Sequence, residues 1–192
     1  MKPGTRCQMP VLDQRLIRQG CEHDTAGIAG LCGRSWTRVS EDILWAGSPS
    51  DTVQAKRAEA WGQRLRDPAT NVLLAVSGRQ VIGCAALGTA ELPSTGRRVA
   101  SLISFLVDPA ENDRDTAEKL LSEAVRWARR SDCDQIIRWL YPQDHRAQSL
   151  LTVLGFQRDG GKRGRASRGR IRHVMNLRTE GGFDSPARPP GR

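Results

Sequence analysis

Val99-Ala100-Ser101-Leu102-Ile103-Ser104-Phe105-Leu106-Val107 is an apolar run that stops at Asp108-Pro109, and Ala117, Leu120, Leu121, Ala124, Val125 and Ala128 follow it. The run is rich in β-branched and aromatic side chains and reads as a strand over 99–107. Pro109 fixes its own φ and brings no amide donor, so the strand ends there. The later positions recur at spacings of three and four, which predicts an amphipathic helix over 117–130. A sheet strand feeding a helix with one apolar face implies a layered domain of sheet and helices.

Working upstream, Asn71 to Val76 and Gln80 to Leu87 are apolar runs separated by Ser77-Gly78-Arg79. So short a glycine-containing connection predicts an antiparallel hairpin. A polar loop with Pro93 and Gly96 then leads into the 99–107 strand, making a three-strand meander. Still earlier, Gln14 to Gln19 reads as a short strand, and Asp24 is placed to cap a helix in which Ile28, Leu31 and Cys32 share a face. Beyond the breaker Gly47-Ser48-Pro49-Ser50-Asp51, a second helix carries Ala58, Trp61 and Leu65 and ends near Asp67-Pro68, with Gly62 inside it.

Downstream, Asp134 to Tyr141 returns to strand and His145 to Leu154 forms a short helix closed by Gly155. Two short strands are expected around Phe156 and over Ile171 to Leu177. Residues 1–13 read as a disordered leader and 179–192 as a disordered Gly- and Pro-rich tail, leaving one domain over 14–178. A chain of 192 residues suits one such domain. The N-terminus lacks a signal-type apolar segment, and no stretch approaches the roughly 18 apolar residues that span a bilayer, so a soluble, cytoplasmic protein with no membrane partner is expected.

Cys7, Cys21, Cys32, Cys84 and Cys133 make an odd set without a CxxC pair, as suits reduced, buried thiols and not a disulfide frame or metal site. The five tryptophans, Trp36, Trp45, Trp61, Trp127 and Trp139, are scattered and read as packing residues. Charge is uneven. The net charge is +9, and the segment from Arg158 to the end holds ten Lys/Arg against three Asp/Glu. Lys162, Arg163, Arg165, Arg168, Arg170 and Arg172 form its densest part, a candidate contact for phosphate groups. Its arginines are spaced by glycine, without interleaved aromatics, which points to phosphate contact and not to base reading.

The element order resembles the GNAT (N-acetyltransferase) superfamily over roughly residues 14–178. Ile17-Arg18 followed by Asp24, Ile28 and Leu31 resembles its first strand and helix. Val107-Asp108-Pro109 with Leu120-Leu121 resembles the end of its fourth strand and its cofactor helix, and Arg146-Ala147, Leu150 and Gly155-Phe156 its last short helix. The resemblance implies an α+β fold (an α/β three-layer arrangement): a mixed central sheet of about seven strands flanked by about four helices.

It also implies acyl-CoA, with acetyl-CoA first, as co-substrate. The pyrophosphate loop of the family corresponds to Asn112-Asp113-Arg114-Asp115-Thr116-Ala117, the pantetheine-pairing strand end to Phe105, Leu106 and Val107, and the residue opening the last short helix to Asp144. Such a loop binds anions through unpaired backbone N–H groups at a helix N-terminus. Here only the final small residue fits the family pattern. Asp115 replaces a glycine among the carboxylates of Glu111 and Asp113, and with Glu118 it has the spacing of a capping box.

The usual fourth-strand glutamate corresponds to Ser101, and the usual proton-donating tyrosine to Leu151. Tyr141 and His145, at the junction of a strand and the last short helix, are substitute proton carriers, so the catalytic candidates are Tyr141, His145 and Ser101. Three functions fit: an acyl-CoA-dependent N-acyltransferase acting on a primary amine of a small molecule or protein; an inactive GNAT scaffold used for binding or regulation; and a nucleic-acid-directed or tRNA-directed member using the basic C-terminal segment.

Overall fold

The computed structural model describes residues 15–35, 51–92, 95–110, 114–164 and 169–177. In chain order these form β1 (Arg15–Gln19), α1 (Thr25–Ser35), α2 (Asp51–Arg66), β2 (Thr70–Ser77), β3 (Gln80–Glu91), β4 (Arg98–Val107), α3 (Arg114–Arg130), β5 (Gln135–Leu140), α4 (His145–Val153), β6 (Gln157–Arg163) and β7 (Arg170–Asn176). The seven strands make one sheet in the order β1-β2-β3-β4-β5-β7-β6. β4 and β5 run parallel, whereas β1–β2, β5–β7 and β6–β7 are antiparallel. This is the mixed α+β architecture the element order implies. The leader over 1–13 and the tail over 179–192, with Cys7, Trp36, Trp45, Asn112, Asp113, Arg165 and Arg168, lie outside the described residues.

The chain divides into two compact units, one within 1–86 and 104–123, the other within 87–103 and 124–192. In the first, Ile28, Leu31 and Cys32 of α1 and Trp61 of α2 bury against Val72, Leu74 and Val76 of β2 and Val81 and Cys84 of β3. These are the positions whose helical spacing marked them as apolar faces. The Trp61 indole N–H finds an acceptor in the Cys32 sulfur at 3.2 Å, which satisfies the one polar atom the ring brings into the core. Gly83 is the contact point of β3 with α3, because a Cβ there would lie 2.7 Å from Leu120 Cδ1. Asp24 does not serve α1 as a simple cap: its carboxylate takes both Arg18 Nη atoms, at 2.6 and 2.7 Å, and the Cys21 amide at 2.9 Å. Those donors hold its pKa well below the usual carboxylate range.

In the second unit Leu92, Val99, Ile137 and Val174 form the apolar cluster on one face of the sheet. Helix α4 ends as glycine allows. Gly155 has φ of +90°, its N–H donates to the Thr152 carbonyl at 3.0 Å, and the Phe156 N–H donates to the Leu151 carbonyl at 2.9 Å. That is the Schellman pattern, and its hydrophobic pair is Leu151 with Phe156, both buried. Cys32, Cys84 and Cys133 are buried, and burial raises their thiol pKa values, but Cys21 is exposed, against the expectation for all five.

Candidate functional site

In the first unit the C-terminal end of β4 is held from below. Asp108, 2% exposed, accepts from Arg34 Nε at 2.7 Å, and its amide donates to the Ile82 carbonyl at 2.8 Å. Arg34 also donates to the Val81 carbonyl at 3.1 Å, and Ser35 Oγ donates to the Val107 carbonyl at 3.2 Å. Phe105, Leu106 and Val107, the expected pantetheine-pairing residues, are half-buried along this strand end. Arg34 was not legible as a site residue, since 74 positions separate it from Asp108.

The expected pyrophosphate loop falls partly on α3 itself. The helix is described from Arg114, so Asp115 lies inside its first turn and not ahead of it, which overturns the capping-box reading. Its carboxylate pairs with Lys119 Nζ at 2.6 Å, and Arg114 Nε donates to Glu118 Oε1 at 2.5 Å. Both are i,i+4 pairs with exposed side chains. The same spacing that suggests a cap also serves a helical ion pair, and here the helix took the second use. Thr116 and Ala117 are buried, with Thr116 accepting from Arg15 Nη1 at 3.4 Å.

In the second unit the parallel ladder between β4 and β5 pairs Val99 with Gln135, Ala100 with Ile136 and Ser101 with Ile137, and ends there. One rung on, Arg138 turns to the strand it no longer pairs with: its Nη1 donates to the carbonyls of Leu102, at 2.8 Å, and Ile103. Burial pushes the Arg138 pKa down to about 10, Asp144 opposes the fall and Arg170 adds to it. At neutral pH the guanidinium is charged.

The three catalytic candidates are placed as follows. Ser101 is half-buried opposite Ile137. His145 opens α4, exposed. Tyr141 is half-buried just past β5, its hydroxyl oxygen accepting from Arg170 Nη2 at 3.0 Å and its ring centre 4.8 Å from the Arg170 Cζ. Because that oxygen accepts from Arg170, its own proton is directed elsewhere. Asp144 is the N-cap of α4, its carboxylate accepting the Ala147 amide at 3.1 Å. Leu151, at the position where the resemblance implies a proton-donating tyrosine, is buried and has no proton to give. Lys162 and Arg163 are exposed on β6, and Arg170 and Arg172 are half-buried on β7. Among the described residues no three His, Cys, Asp or Glu side chains gather as metal ligands, and no described helix is long and apolar enough to cross a membrane.

The model of the acetyltransferase (GNAT) family matches residues 36–156. The chain belongs to the GNAT acetyltransferase family. The solved structures similar to this GNAT chain include a probable acetyltransferase from Staphylococcus epidermidis, 13% identical with a TM-score of 0.62, covering 85% of this chain and 99% of that one. The PaiA N-acetyltransferase of Thermoplasma acidophilum, determined in complex with coenzyme A, is 13% identical with a TM-score of 0.62 and coverages of 84% and 98%. An aminoglycoside antibiotic 6'-N-acetyltransferase from Acinetobacter haemolyticus is 19% identical with a TM-score of 0.63 and coverages of 79% and 97%. At such identities the likeness is one of fold. Comparison with curated protein sequences finds no match. Membership of the family makes acyl-CoA-dependent N-acetyl transfer the general class to which this chain is assigned.

Proposed function

We propose that the chain is an active cytoplasmic N-acyltransferase that takes acetyl-CoA as donor and a primary amine as acceptor. The observation that carries this reading is the end of the β4–β5 ladder at Ser101 and Ile137. Past that rung the β4 main chain has no β5 backbone partner, and beyond the Leu102 and Ile103 carbonyls that Arg138 takes, amides of a pantetheine arm can pair with it as a strand would. Main-chain donors serve equally to polarise a thioester carbonyl, and they persist when side chains diverge.

The diphosphate end is served by Arg114 and Lys119 at the start of α3, whose partners Glu118 and Asp115 hold them only in exposed pairs. Such pairs are worth about 0.2–1 kcal/mol each, so a diphosphate can displace them. In the transfer the amine nitrogen bonds to the acyl carbon, the carbon–sulfur bond breaks, and a proton passes from nitrogen to the departing thiolate. Tyr141 is the side chain best suited to supply that last proton, since Arg170 occupies its oxygen and leaves its O–H to donate.

Calorimetry of the full chain with acetyl-CoA, followed by mass spectrometry of a panel of primary amines, tests the reading. Saturable binding with an acetylated product, and a loss of turnover of about 100-fold in Tyr141→Phe with KM retained, is expected. Absence of binding at millimolar acetyl-CoA would overturn it. Binding without turnover on any amine would favour a scaffold that retains the cofactor but not the chemistry, the reading to which the buried Leu151 lends weight.

A further inference from the structure

The register of the C-terminal strands assembles something the linear sequence keeps apart. On β5 and β7, Trp139 is directly opposite Arg172. The Arg172 Cζ lies 5.7 Å from the Trp139 ring centre, and the Arg170 Cζ lies 4.8 Å from that of Tyr141. Alternation along a strand puts positions 139 and 141 on one face, and 170 and 172 on the same face of the neighbour. One guanidinium–aromatic pair is thus a rung of the β5–β7 ladder, and the second, Tyr141 with Arg170, follows just past the end of β5.

The surroundings extend this surface outward. Arg163 of β6 is paired with Arg170 across the ladder, a like-charge juxtaposition that costs stability unless an anion relieves it. Lys162 and Arg163 are exposed. Gly161 lets the Arg172 side chain lie against β6, since a Cβ there would come within 2.7 Å of Nε. Over residues 157–176 the sequence holds seven Lys/Arg and a single carboxylate, Asp159, and that carboxylate is taken by Arg172 at 2.7 Å. The segment that looked devoid of interleaved aromatics acquires two of them from β5.

We propose that this face of β5, β7 and β6 binds single-stranded nucleic acid, with Arg163 on the phosphates and the guanidinium–aromatic pairs of Arg170 with Tyr141 and Arg172 with Trp139 as stacking platforms for bases. A guanidinium held beside an aromatic ring presents, with the ring, a planar surface on which a base can stack, and Asp159 fixes the Arg172 N–H edge in place. A duplex has its bases stacked on one another and could use only the phosphate component. Acidic peptides could use the charge but not the stacking. The proposal does not rest on acyl-CoA binding.

The test is fluorescence anisotropy of the full chain with a labelled oligouridylate of about 15 nucleotides, within the span such surfaces cover. Oligothymidylate, a duplex of equal length and polyglutamate are titrated beside it. Saturable binding of a single strand is expected, at least tenfold tighter than of duplex or polyglutamate, with affinity falling as salt rises at a log–log slope of about −2 to −3 for three or four phosphates contacted. Oligouridylate favoured over oligothymidylate would assign RNA; equal binding would assign any single strand.

Arg163→Glu, at an exposed position, should cut affinity about tenfold and flatten the salt slope, with acetyl-CoA binding unchanged, whereas Lys162→Glu, on the opposite face beside Ile171, should act far less. Arg172→Lys, which keeps the charge and loses the plane, should weaken single-strand binding while sparing duplex binding. Quenching of tryptophan emission on binding should largely vanish in Trp139→Phe. No binding at low salt, polyglutamate bound as tightly as the single strand, or affinity indifferent to the Arg163 reversal would overturn the proposal.

Discussion

Arg138 Nη1 lies 2.8 Å from the main-chain oxygen of Leu102, one rung beyond the last backbone pair between β4 and β5. A side chain has taken over where the ladder stops, donating to that carbonyl and to the carbonyl of Ile103.

Arg138→Met should therefore lower stability by about 2 kcal/mol, the scale of hydrogen bonds made by a charged donor. Arg138→Lys should recover part of that, having the charge but not the planar fork. Urea unfolding of the two variants checks the ordering, and a methionine variant as stable as the parent would show the clamp to be incidental.

The pair of Arg34 and Asp108 predicts an asymmetry. Asp108 is almost fully buried, whereas the Arg34 side chain is 43% exposed. Removing Arg34 strands a buried charge, and removing the Asp108 charge leaves only an exposed arginine. After discounting for the exposed partner, Arg34→Ala should cost about 1–3 kcal/mol and Asp108→Asn less. A double-mutant cycle in thermal unfolding measures the difference, with Arg34→Ala expected to lose part of its cost when Asp108 is already Asn.

His173 is 1% exposed, and neither ring nitrogen has a hydrogen-bond partner. Its register partners are Arg138 on β5 and Arg158 on β6, with Gln148 of α4 bonded to Arg158. Burial, and next the charge of Arg158, lower its pKa, while the Ile171 backbone and Asp159 act weakly the other way. With the folded value below the unfolded one, the unfolded chain binds a proton that the native chain refuses, so this contribution is intact above about pH 6.5 and is lost as pH falls below it. Stability should therefore fall between pH 7 and 5.5, and His173→Phe should flatten that slope in urea titrations at the two pH values.

Periodicity made the elements legible and left their ends and partners obscure. The apolar face of α3, the Gly155 exit and the Asp144 cap can each be read locally, because the residues that decide them lie within four positions of one another. The start of α3 cannot, since Asp115 and Glu118 suit a cap outside the helix as well as i,i+4 pairs within it, and only the backbone decides. The clamp of Arg138 on Leu102, the pairing of Arg34 with Asp108 and the stacking of Arg170 on Tyr141 join residues 29 to 74 positions apart. No local pattern announces such contacts, because strand order creates them.

Asp115 is where the fold's economy and its chemistry conflict most directly. In the first turn of α3 its charge favours the helix dipole and pairs with Lys119 at 2.6 Å, yet it also stands where a diphosphate would approach the N-terminus. For a carboxylate as exposed as this one, with the dielectric of bulk water, one like charge some 5 Å away repels an anion by about 1 kcal/mol, so Asp115→Asn should tighten acetyl-CoA binding about three- to tenfold while releasing Lys119 toward the phosphates. Glu118→Gln should act in the same direction through Arg114, and Arg114→Glu in the opposite one. The gain should shrink as salt is raised from 50 to about 500 mM, because screening removes the repulsion it depends on. Calorimetric affinities that do not change in any of the three variants would place the diphosphate away from this turn.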